Sequence, residues 1–118
     1  MKLMSDMRFA SRAYQAAAES QSTRQREADI FRQTIGRLQA SRAAGPIARV
    51  RALADNRRLW MTIADLMRDV DNNLPAETRA GILSVGIAVQ REMDRDEPDF
   101  DFLITINRQI AEGLSATS

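Results

Sequence analysis

Apolar residues recur three and four positions apart along almost the whole chain, and no segment sustains strict alternation of apolar and polar residues. That spacing is the imprint of amphipathic helices, since a 3.6-residue period gathers such positions onto one face. At 118 residues the chain is the size of one domain, long enough to bury roughly two-thirds of its unfolded surface. The expectation is an all-α fold, a single small helical bundle of four to five helices spanning residues 1–118.

Local punctuation divides the pattern. A weak segment, 6–20, can be capped by Ser5 or Asp6 and places Phe9, Ala13, Ala16 and Ala17 on one face. Ser22-Thr23-Arg24-Gln25 fits a capping box and predicts a new helix over 22–44, with Ala28, Phe31, Ile35 and Leu38 as its apolar stripe. Gly45-Pro46 ends that helix and opens the next, over 46–72. This third helix carries two apolar lines, one of Val50, Leu53, Trp60, Ala64 and Met67, the other of Leu59, Ile63, Leu66 and Val70. So wide a stripe predicts a central helix with neighbours on both sides.

Asn72-Asn73-Leu74-Pro75 has the chemistry of a tight interhelical turn. A fourth helix over 75–94 places Glu77 in its first turn and holds Gly81 and Gly86, which permit close approach to the third helix. A fifth, over 99–114, aligns Phe100, Leu103, Asn107, Ile110 and Leu114, with Ile106 beside them. The acidic connection Asp94 to Asp101 is not a calcium loop, because Pro98 and Asp99 stand at its fifth and sixth positions and Thr105 at its last.

Composition narrows the chemistry. The chain has neither cysteine nor histidine, so a disulfide framework, a thiolate or imidazole metal site, a cysteine nucleophile and the usual general base are all excluded. The remaining carboxylate pairs, Asp65 with Asp69 and Glu92 with Asp96, read as solvated surface acids. No catalytic residue, metal ligand or cofactor is assigned. The N-terminal stretch lacks the apolar run of a secretory signal, and no window approaches the roughly eighteen apolar residues of a membrane span. A cytoplasmic protein without membrane contact is expected.

Charge is unevenly distributed. Residues 1–58 carry twelve basic and five acidic side chains, whereas 59–118 carry five and eleven. Two halves of one bundle can complement each other in this way; alternatively, the basic half recruits an acidic partner or RNA. The band Arg24, Arg26, Arg32, Arg37, Arg42, Arg49 and Arg51 supplies charge for phosphates, but Phe31 is its one interleaved aromatic and the helical pattern sends it inward. Nucleic acid is therefore not the expected partner.

Asn56 and Arg57 fall where the two lines of the third helix, extended backward, call for apolar groups, and Trp60, the single tryptophan, lies one turn on. Two readings stay open. Arg57 snorkels past apolar neighbours while Trp60 fills the core and its N–H finds one acceptor; or these residues line a groove for a partner helix, as tryptophan and arginine commonly do at interfaces.

Asn56-Arg57-Arg58-Leu59-Trp60, Asn73-Leu74-Pro75 with Arg79-Ala80, and Leu103-Ile104-Thr105-Ile106-Asn107-Arg108 with Gly113-Leu114 resemble, in order and spacing, the flagellar biosynthesis regulator family FlaF. Ala13-Tyr14 and Arg26-Glu27-Ala28 are similar to the family's N-terminal part. Thr78 departs from the pattern, where leucine is expected; if it faces the core, the packing there must adjust. The resemblance implies a non-enzymatic cytoplasmic protein that promotes flagellin production and export as a flagellin-binding chaperone, alongside the antagonistic regulator FlbT, itself a further candidate partner. Flagellin's terminal helices would enter by the helix-in-groove mode, with Asn56, Arg57, Trp60, Asn73 and Arg79 forming or supporting the groove. The alternatives are a post-transcriptional regulator touching flagellin messenger RNA through the arginine band, and an adaptor for another flagellar regulator.

Overall fold

The computed structural model describes the backbone of residues 2–116, and side chains over 10–12 and 25–113. Among the described residues there are four helices: α1 (Lys2–Ser41), α2 (Pro46–Arg68), α3 (Ala76–Met93) and α4 (Phe100–Ala116). The all-α reading holds.

Where five helices were conceivable, the first two expected segments are one. α1 runs without interruption through Ser22-Thr23-Arg24-Gln25, so the capping-box pattern does not start a helix there. No glycine or proline occurs between Lys2 and Ile35. Continuing through Ser22 and Thr23 costs a few tenths of a kcal/mol each, less than nucleating a second helix. The face expected of Phe9, Ala13, Ala16 and Ala17 lies outside the described side chains, as does Leu114. At 1.5 Å per residue α1 is about 60 Å long, which explains the molecule's 67 × 29 × 19 Å extents. Its radius of gyration is 18.1 Å, against roughly 13–14 Å for a compact domain of this length.

The turns follow local chemistry. Gly45 adopts φ 101°, a conformation side chains rarely tolerate, and Pro46 then opens α2. α2 stops at Arg68, four residues short of the expectation. Asp69 is extended, its Oδ1 accepts from the Asp71 N–H at 3.0 Å, and Asn72 donates its amide to the Leu66 carbonyl at 2.9 Å. Asn72 Oδ1 also accepts from the Leu74 N–H at 2.9 Å, so side chains satisfy what a further helical turn would have satisfied. Val70, expected on an inward line, is consequently 91% exposed. Val50, in the first turns of α2, is exposed as well.

α1 packs most extensively on α4, and α2 bridges α1 and α3. The core unites Phe31 and Leu38 of α1, Ala52, Leu59, Trp60, Ile63 and Met67 of α2, Val89 and Met93 of α3, and Phe100, Leu103, Ile104 and Ala111 of α4. Phe31 meets Trp60 edge-on, with centroids 6.1 Å apart at 83°, a favoured aromatic geometry. Buried Thr34 and Ser41 turn their hydroxyls back onto the carbonyls of Ile30 and Leu38. The acidic connection is absorbed into the fold: Asp94 meets Arg57, Asp99 Oδ1 accepts from the Phe102 N–H as a cap for α4, and Asp101 pairs with Arg42 of α1. Among the described residues no helix is long and apolar enough to cross a membrane.

Candidate functional site

The polar intrusions on α2 find their explanation on α4. Trp60 Nε1–H donates to Asn107 Oδ1 at 2.9 Å, Asn107 Nδ2 donates to Asn56 Oδ1 at 2.7 Å, and Asn56 Nδ2 donates to the Met93 sulfur at 3.2 Å. Asn56 and Asn107 are wholly buried and Trp60 nearly so. The indole can only donate, so it fixes which end of the Asn107 amide faces it; that in turn fixes Asn56. A directed chain of three hydrogen bonds thus ties α2 to α4 and, through Met93, to α3. A buried amide without a partner costs about 1–3 kcal/mol, so the three positions depend on one another.

Arg57 sits on a different seam. Its Nη1 donates to Gln90 Oε1 at 2.9 Å and pairs with Asp94 Oδ1 at 3.0 Å, joining α2 to α3 at a half-exposed surface. Asn73 is exposed; the neighbouring Asn72 performs the capping. Arg79 is half-buried near the start of α3, and its Nε has no hydrogen-bond partner among the described residues. The structure therefore brings Asn56 and Trp60 together in the core, sets Arg57 beside them on the adjoining seam, and leaves Asn73 and Arg79 apart at the turn and the first turn of α3. Thr78 is exposed, so its departure from the family pattern requires no adjustment of the core.

Asn107, Met93 and Gln90 lie outside the five groove residues expected from the sequence, yet each completes an interaction begun on α2. For Asn107 a signal existed: like Asn56, it interrupts an apolar line. Two polar intrusions on two stripes are each other's natural partners. Gly86 also belongs here, since a Cβ there would lie 3.4 Å from the Trp60 ring, whereas one at Gly81 would meet nothing within 4 Å. The close approach expected of both glycines is made at Gly86.

Among the described residues two surface grooves flank α2. One of about 400 Å³ lies between α2 and α3, with Trp60, Ile63 and Gly86 among its lining and Met61, Ala64, Leu83 and Ile87 on its walls. The other, about 280 Å³, lies between α1 and α2 around Ile30, Thr34, Leu59, Ile63 and Leu66. In the second the charged rim is internally paired, with Asp55 between Arg37 and Arg58. Of the arginine band, Arg32 pairs with Asp29, Arg37 with Asp55 and Arg42 with Asp101, while Phe31 is buried.

Fold and site together define a small all-α bundle whose central helix is pinned by a buried amide chain and bordered by apolar grooves. Residues 10–114 match the model of the flagellar protein FlaF, and the chain belongs to the FlaF family. It is accordingly a flagella-related protein, of a family not known as an enzyme family. The chain matches none of the curated proteins or solved structures compared with it.

Proposed function

We propose that the protein is a flagellin-binding chaperone that promotes flagellin synthesis and secretion, acting in the cytoplasm without catalysis. The family membership over residues 10–114 carries this reading. The surface is consistent with it: grooves of about 280 and 400 Å³ between packed helices are the shape into which an amphipathic helix lays its apolar face. In this reading Asn56 and Trp60 support the groove from within, Arg57 holds the α2–α3 seam, and Asn73 and Arg79 belong to the turn and the first turn of α3 that set the spacing of its walls. An FlbT-type regulator is a second partner that the family membership allows. The messenger-binding alternative draws less support, because three arginines of the band already hold carboxylates of the fold.

Co-expression of this chain with its cognate flagellin, followed by size-exclusion chromatography at roughly micromolar concentration, tests the proposal. Co-elution is expected. Separate elution of two folded proteins overturns it, and a salt-sensitive shift of the flagellin leader RNA in its place would favour the alternative.

A further inference from the structure

Of the two grooves beside α2, the one between α2 and α3 retains unused binding capacity. Met61 is 59% and Ile87 55% exposed, on opposite walls, with half-buried Leu83 and Ile82 continuing the apolar surface. Arg68 on the α2 wall and Arg91 on the α3 wall are exposed and make no ion pair among the described residues. Asp94, the nearest acid to Arg91 in the lining, is occupied by Arg57, and Asp65 stands one turn before Arg68 without reaching it. The rival groove offers one exposed large apolar group, Ile30 at 50%, against two here, and its rim arginines Arg37 and Arg58 already share Asp55.

The spacing of the two arginines can be read from the seam. Arg57 bonds Gln90 and Gly86 lies on Trp60, so Arg91 is level with about residue 56 of α2. Arg68 is therefore about twelve residues further along the groove, roughly 18 Å or three helical turns. Apolar walls flanked by unpaired cations at that separation are complementary to one kind of occupant: a helix with an apolar stripe about three turns long and a carboxylate near each end, on opposite flanks.

Resting on the flagellin-binding reading, we infer that the α2–α3 groove, and not the α1–α2 groove, receives the partner, as an amphipathic helix whose apolar stripe covers Met61, Leu83 and Ile87 and whose flanking acids meet Arg68 and Arg91. Apolar contact supplies the affinity, and the two arginines fix the register, because sliding the helix along the groove would carry its acids away from both.

The test is flagellin binding by the full chain, titrated calorimetrically, with Ile87→Glu, the double variant Arg68→Glu/Arg91→Glu, and Ile30→Glu in the rival groove. All four altered positions are exposed, and circular dichroism with thermal melting verifies that each variant folds as the parent does. Ile87→Glu is expected to weaken binding at least roughly thirtyfold, and the double charge reversal roughly tenfold or more, with Ile30→Glu unchanged. Loss with Ile30→Glu while Ile87→Glu binds normally overturns the groove assignment and leaves the chaperone reading standing. Equal tolerance of all variants does the same. Absence of binding by the unaltered chain overturns the chaperone reading, and the groove assignment with it.

Discussion

The two seams of α2 differ in how they use polar groups. Toward α4 the helix presents Asn56 and Trp60 to Asn107 in a dry core, where every hydrogen bond is made between side chains far apart in sequence. Toward α3 it presents Arg57 to Gln90 and Asp94 at a half-exposed margin beside an open apolar groove. Unusual residues at neighbouring positions thus need not share a job. Asn56 and Arg57 look like one polar cluster in the sequence, yet the 100° rotation per residue sends one into the core and the other to the surface. The buried pair sets which helices meet and at what register, and the exposed one decorates a seam that stays partly open.

Breaking the closed seam should have the largest effect. Asn107→Leu removes both the acceptor of the Trp60 N–H and the donor to Asn56, leaving two buried groups without partners. A loss of about 2–4 kcal/mol is expected, read as a lower urea midpoint. An unchanged midpoint would mean that the amide chain contributes no specificity beyond its volume.

The glycines of α3 sharpen the contrast at a smaller scale. Gly81→Ala meets nothing and should stabilise by up to about 1 kcal/mol through helix propensity alone. Gly86→Ala places a methyl group 3.4 Å from the Trp60 ring and should gain less. Thermal melts of the two variants compare them directly; equal gains would show that the ring yields without cost.

Smallest is the open seam's own polar link. Arg57 and Asp94 have side-chain exposures of 40% and 66%, so solvent screens them and Arg57→Ala should cost less than about 1 kcal/mol. The loss should shrink further as salt rises, which denaturation at low and high ionic strength will measure. A loss as large as that of Asn107→Leu would erase the distinction between the seams.

Much of the fold was legible from spacing. The starts of α2 at Pro46, α3 at Ala76 and α4 at Phe100 lie within a residue of where local chemistry puts them, whereas α1 and α2 end three and four residues early, at Ser41 and Arg68. The errors share one cause. The patterns at Ser22 and Val70 hold only if a helix starts or continues there, and neighbours decide that: α1 runs on through the capping box, and α2 ends where Asn72 satisfies its carbonyl. For the site, Asn56, Arg57 and Trp60 stood out because polar groups interrupt an apolar stripe. Their roles did not, since a stripe says nothing about what lies opposite.

The sequence by itself determined that this chain is helical, where its main turns fall, that cysteine and histidine chemistry is closed to it, and which motifs place it with the FlaF family. Those properties depend on residues within a few positions of one another. Tertiary structure alone decided that Asn56 answers to Asn107, 51 residues away, and to Met93, 37 away. It likewise decided that Gly86 is the glycine that admits the indole and that Arg68 and Arg91 of the α2–α3 groove make no ion pair among the described residues. Helical periodicity specifies which side chains share a face; the crossing of the helices, a long-range outcome of packing, specifies what that face meets.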